Sequence, residues 1–192
     1  MKKILVIIVA SVLLFAAITP HFVGKNVAQQ IATITQKISD SPGYVANVTM
    51  LESNWFTTHA KVAVNIDEAL FSDDAAAEMF TTPITLNVVV NHGPLIVGEH
   101  AGLGWSSYTI ELESEQLRDY LNWQPDESLY YIQAQTNLLG NTYFHDTLLP
   151  FTATIDQDNT SVKFDGYQGQ GRWNGAEFSH QATVSVLSAK SD

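Results

Sequence analysis

The chain changes its hydrophobic period twice. From Ile4 to Ile18 it is an uncharged apolar run, preceded by Lys2 and Lys3. A short basic segment followed by such a run is an export signal. Signal peptidase cuts after small residues in an A-x-A-like arrangement, and Ile18-Thr19-Pro20-His21-Phe22-Val23-Gly24 contains none. Counting from Ile4 to Val23 gives 20 residues, about what a bilayer core requires. The expectation is an uncleaved signal anchor over residues 1–24, crossing a bacterial inner membrane through residues 4–23. Lys2 and Lys3 would stay in the cytoplasm by the positive-inside bias, which puts the C-terminal part in the periplasm. The alternative is a cleaved, periplasmic chain.

The period then becomes that of a polar helix over residues 25–40. Val27, Ile31, Ile34 and Ile38 are spaced four, three and four, one narrow apolar stripe, and Ser41-Pro42-Gly43 ends it. Two uses of the stripe are open: docking on the sheet that follows, or self-association into a homo-oligomer beside the membrane.

Beyond Pro42, over residues 41–192, the period is two. Tyr44 to Met50 and Thr58 to Ile66 alternate on either side of a Glu52-Ser53-Asn54 turn and predict a hairpin. Ile84 to Val90 is a third strand, stopped by Asn91-His92-Gly93-Pro94, and Tyr108 to Leu112 a fourth. Asp67 to Thr82 reads as weak helix or loop, and Ser114 to Leu121 as a helix of about two turns. Tyr130 to Leu138, Leu149 to Ile155, Val162 to Phe164 and Phe178 to Val186 supply the remaining strands, with a turn-rich glycine stretch between Gly166 and Gly175. The fold class is mainly β (α+β): an anchor helix, then a twisted, curved antiparallel sheet with one or two short helices.

Composition narrows the function. The 192 residues include no cysteine, which excludes a disulfide scaffold, a Cys-ligated metal, a thiol nucleophile and a lipoprotein anchor. Net charge is −11, and past residue 25 there are six basic side chains against 20 acidic ones. Such a surface does not bind nucleic acid.

Two stretches carry more than composition: Leu51-Glu52-Ser53-Asn54-Trp55-Phe56-Thr57-Thr58, and Val90-Asn91-His92-Gly93-Pro94-Leu95 followed by Gly102-Leu103-Gly104-Trp105-Ser106. With the N-terminal segment and the Val23-Gly24-Lys25 junction, they make residues 1–112 resemble the YdgA-like envelope proteins of Gram-negative bacteria, domain-of-unknown-function family 945. Members have an aromatic-Phe-Ser-Ser type entry where this chain has Trp55-Phe56-Thr57-Thr58. They have an Asp-His-Gly-Pro type motif where it has Asn91-His92-Gly93-Pro94. Members often run longer, so the chain resembles a short member or an N-terminal half. The resemblance implies an envelope location and a β-rich periplasmic body, and it carries over no catalytic residue. Asn91 in place of the acid removes a carboxylate partner for His92.

Trp55, Phe56, His92, Gly93, Pro94 and Trp105 are thus the candidate ligand or motif residues. His92 could act as a base or ligand at a Gly–Pro turn, or merely bond a nearby carbonyl. His59, His92, His100, His145 and His180 with Glu99 or Asp146 lack tight metal-ligand spacing. Gly104-Trp105-Ser106-Ser107-Tyr108 lacks the second glycine of a nucleophile elbow. Gly166-Tyr167-Gln168-Gly169-Gln170-Gly171-Arg172-Trp173 has no Lys-Ser/Thr for phosphate. It reads as a bend or bulge, with sugar stacking on Tyr167 and Trp173 as the other option. Glu68, Asp73, Asp74 and Glu78 read as a solvated face. No cofactor and no catalytic residue is expected. The predicted role is a non-catalytic binding or scaffold module of the envelope, for a protein or lipid partner, one version being shelter for an apolar ligand. The alternative is an envelope hydrolase or metal-binding protein using His92.

Overall fold

A computed structural model describes residues 2–71, 81–96, 102–113, 115–155 and 160–190; within the first helix, the side chains before Phe15 and that of Ala16 lie outside the description. The two N-terminal segments expected from the sequence form one helix, α1 (Lys2–Ser39), which runs through Pro20 and past Gly24 without a break. Among the described residues, no helix is long and apolar enough to cross a membrane.

The body is mainly antiparallel β and forms no closed barrel. β1 (Tyr44–Ser53), β2 (Thr57–Ile66), β3 (Ile84–His92), β6 (Ser106–Glu113), β8 (Tyr130–Thr136), β9 (Thr142–Leu148), β12 (Tyr167–Trp173) and β13 (Phe178–Val184) make an eight-stranded sheet in chain order. A four-stranded sheet takes β14 (Leu187–Lys190), β11 (Thr160–Phe164), β10 (Phe151–Ile155) and β7 (Leu121–Asn122) in that order. β4 (Leu95–Ile96) and β5 (Gly102–Leu103) pair alone.

Registers explain why one face becomes the core. Val62 opposes Leu86, Leu86 opposes Leu112, and Val88, Ile110 and Ile132 follow one another across three strands. These inward positions are the apolar half of each alternation. α1 lies over the β1–β3 part of this face, with Val27 buried against Ala60, Val88 and Val90, and Val23 and Ile31 packed beside them. The stripe therefore docks within its own chain. In this structure the sheet takes the surface of Val27 and Ile31, two of the four residues expected to serve self-association. Ile38 is half-buried, while Ile34 keeps 57% of its surface exposed. A cleft of only about 140 Å³ remains between α1 and the strands, below the roughly 300 Å³ at which ligand pockets begin.

A second core of Leu117, Trp123 and Leu129 closes the far end of the face, with Leu112, Leu121, Leu148 and Phe151 against it. The two-turn helix expected at residues 114–121 is instead a single 3₁₀ turn, Glu115–Asp119. It is cut short because Tyr120 N–H bonds Leu117 C=O and Leu121–Asn122 then leave to pair with β10. Over Asp67–Thr82 a 3₁₀ turn spans Glu68–Leu70; residues 72–80, with Asp73, Asp74 and Glu78, lie outside the described residues.

The glycine stretch is the clearest departure. Tyr167–Trp173 is a regular strand paired without register shift to β9 and β13, with neither bend nor bulge. Its ends are six residues apart, about 20 Å along a strand, so Tyr167 and Trp173 do not form one stacking platform.

Candidate functional site: a helix clamp and an aspartate cluster

The motif residues picked out by the sequence converge at one end of the main sheet. The β1–β2 turn, with Asn54 N–H bonded to Thr57 C=O, presents Trp55 and Phe56. His92 donates its N–H to Phe56 C=O at 2.8 Å, Gly93 N–H bonds Trp105 C=O at 3.1 Å, and Gly104 N–H bonds Pro94 C=O at 3.2 Å. Gly93 takes φ 149°, outside the range of an ordinary L-residue, which lets the strand turn away at Pro94. All six candidate residues thus belong to one knot of backbone.

The knot holds the helix. The His92 side chain is 1% exposed, and Pro20 is as deeply enclosed. A Cβ on Gly24 would stand 2.7 Å from His92 Cε1, so only glycine lets α1 lie this close to the imidazole. His92 Nε2 is 3.0 Å from Thr58 Oγ1, which in turn is 2.9 Å from Ser53 Oγ. Nδ1 is buried without a hydrogen-bond partner. Burial pushes the His92 pKa below 6.5, against the opposing pull of the Pro20, Trp55 and Thr57 backbone. Trp55 Nε1 donates to Ala17 C=O at 2.8 Å, and its ring stacks on His21 at 5.3 Å. Among the described residues no carboxylate bonds the His92 ring, and the buried imidazole fills the space between helix and sheet. Asn91 Nδ2 donates to Ser107 Oγ at 3.5 Å.

A second cluster joins Asp146 and His180, grouped in the sequence only as loosely spaced metal-ligand candidates, to Tyr130 and Tyr167. On the uncovered part of the same face, Asp146 from β9 is 6% exposed. Tyr167 donates its hydroxyl to Asp146 Oδ2 at 2.8 Å, with the Tyr130 hydroxyl 3.4 Å from the same atom. His180 Nε2 lies 3.1 Å from Oδ1. A Cβ on Gly169 would meet His180 Nε2 at 2.5 Å and Tyr167 Oη at 2.7 Å, and one on Gly171 would meet the Phe144 ring. The glycines of β12 therefore open the floor on which this cluster and Phe144 sit. Phe144 stacks on Phe178 at 5.7 Å and on His180 at 5.6 Å. Burial first, then the Asp146 charge, pushes Tyr130 up to about 12. Tyr167 is also raised, chiefly by its hydrogen bond to Asp146. Both phenols therefore stay protonated and donate; neither serves as a base at neutral pH.

Among the described residues no group of three or more His, Asp or Glu could hold a metal ion. His59 and His145 lie on strand positions opposite the core face, and Glu99 and His100 lie outside the described residues. Ser106 is buried and donates to Tyr108 Oη at 2.7 Å, no nucleophile's environment. The outer face of β8–β13 carries shallow polar hollows, one of about 420 Å³ bordered by Tyr131, Gln133, Gln168 and Gln181.

A long helix clamped through a Gly–His contact onto an open antiparallel sheet defines the class: a helix-tethered β-body, without an assembled catalytic centre among the described residues. The family model described as "Bacterial protein of unknown function (DUF945)" matches residues 1–192, and the chain belongs to that family. The match extends beyond the 112 residues that carried the resemblance. No curated protein and no solved structure matches the chain.

Proposed function

We propose that the chain is a membrane-anchored binding module of the bacterial envelope, non-catalytic, holding a protein or apolar partner on the helix-free part of its sheet. The observation that carries this reading is the clamp. The C-terminal half of α1 is fastened to the body at Pro20 and Gly24, while the apolar sequence Ile4–Ile18 is left on the far side of the clamp. Such an arrangement gives a body a fixed stance relative to whatever the apolar run enters. The likeness to the YdgA-like envelope proteins accords with it, as does the basic pair Lys2–Lys3.

The binding half of the proposal rests on what α1 leaves uncovered. The cleft under the helix is too small for an acyl chain, whereas Val184 is 67% exposed on the open side of the face. Apolar burial there would supply affinity at roughly 25 cal/mol per Å².

The test uses the absence of native cysteine. In a Gram-negative host, a single cysteine at Asp126 should react with an impermeant maleimide in intact spheroplasts, and one at Lys3 only after lysis. Both variants should remain in the carbonate-washed membrane pellet. Native mass spectrometry of the detergent-extracted full chain should show a bound apolar molecule that Val184→Asp loses. A soluble chain removes the anchor; a homogeneous empty chain removes the apolar-ligand version.

A further inference from the structure

The strand registers bring every turn at the clamp end of the main sheet to one level. Ser53 pairs with Thr58, Thr57 with Asn91, His92 with Ser106, Ser106 with Thr136, Thr136 with Thr142, Thr142 with Trp173, and Trp173 with Phe178. Exposed apolar side chains stand along this rim, Trp55 and Phe56, then Leu103, then Leu139 at 87% exposure, then Trp173 and Phe178, among polar turn residues such as Asn54, Asn137 and Asn174. The helix meets the rim where Ala17 C=O takes the Trp55 indole hydrogen, and Phe15, Ile18 and Phe22 are exposed there too. The opposite end is acidic, with Asp40, Asp67, Glu115, Asp119, Asp126 and Glu127 all exposed. Among the described residues the rim's acids are Glu52 and Glu177, the latter 3.9 Å from Arg172.

We infer that this rim lies in the interface of the lipid bilayer, so that the sheet stands on the membrane by its hairpin tips as well as by its helix. The inference rests on the anchor reading above. Length decides it. Because Pro20 and Gly24 are locked against His92, Ile4–Ile18 is the part of the apolar run left to the bilayer. Those 15 residues rise about 22 Å, against a hydrocarbon core of about 30 Å. A helix that short thins the bilayer, or extends its lysines outward, and draws the body down to the headgroups. Tryptophan is the side chain that favours that level, with an apolar ring and a polar N–H. The acidic end is held farthest from the anionic lipid surface.

The experiment uses the full chain reconstituted in phosphatidylethanolamine–phosphatidylglycerol vesicles, with or without brominated acyl chains. Single cysteines at Leu139, Phe178, Asp126 and Val9 carry an environment-sensitive NBD probe. The labels at Leu139 and Phe178 should emit blue-shifted and be quenched by brominated lipid, like Val9, while Asp126 stays water-like. Water-like emission at Leu139 and Phe178 with quenching at Val9 overturns the standing rim and leaves the anchor intact. An unquenched Val9 overturns the anchor and the rim with it.

Discussion

The two halves of the main sheet solve the same problem by different means. Under α1, the face over β1–β3 is Ala60, Val62, Val88 and Val90, small side chains sealed by Val27 and Ile31. Across β9, β12 and β13, where no helix lies, the face is Phe144, Asp146, Tyr167 and His180 on a floor of Gly169 and Gly171. One half is stabilised by excluding water, the other by saturating a carboxylate and stacking rings around it. The difference teaches that a sheet face lacking a covering layer can be ordered by directional contacts, provided the neighbouring strand supplies room for them.

The strongest way to break the comparison is to charge the covered half. Val27→Asp should cost about 3–5 kcal/mol, since it places an unpaired carboxylate in the core. Ile34→Asp on the same helix, with its exposed side chain, should stay within about 0.5 kcal/mol. Urea unfolding of the two variants reads the contrast, and equal effects would mean that the stripe is not docked as described.

Next is the pair of close approaches. Gly24→Val and Gly169→Ala each force an atom into occupied space and should cost about 1–3 kcal/mol. His92→Ala should recover part of the loss from Gly24→Val by vacating that space, and should do nothing for Gly169→Ala. A double-mutant cycle with no coupling between Gly24 and His92 would refute the clamp.

The pH dependence separates the halves by the direction in which each loses stability. Folded His92 takes up its proton below the 6.5 of the unfolded chain. Its contribution is therefore intact above about pH 6.5 and is lost as the pH falls toward the folded value. Folded Tyr130 holds its proton up to about 12, against 10 when unfolded. Its contribution is present below pH 10 and disappears as the pH rises through about 12. Melting temperatures across the range should show a shallower acid limb in His92→Gln and a shallower alkaline limb in Tyr130→Phe. Tyr167→Phe should cost about 1 kcal/mol for one hydrogen bond to Asp146, measurable by the same urea titration.

The covered half was largely legible in the sequence, because strict alternation in β2, β3 and β6 names the inward residues directly. The open half was not. β9 was missed because Asp146, a charged residue, occupies an inward position and interrupts the apolar period. β12 read as turns because two of its inward residues, Gly169 and Gly171, are glycines that leave room for the side chains around them. Trp55, His92 and Trp105 stood out as motif residues, but their meeting depends on pairings between residues far apart in the chain. Asp146 and His180 are grouped by the sequence only as metal-ligand candidates, because the pairings of β9, β12 and β13 that unite them with Tyr167 leave no local sequence pattern.

The order of the main sheet also governs how the body is assembled. Each of its strands pairs with the main-sheet strand just before it in the chain, so a chain emerging N-terminus first presents every new strand with a finished edge. α1, the layer that seals the first core, is already made when β1 appears. β14 is different: it joins β11 in the smaller sheet after β12 and β13 have been added to the larger one. Leu187–Lys190 therefore adds to the edge of the second sheet beside a strand laid down earlier.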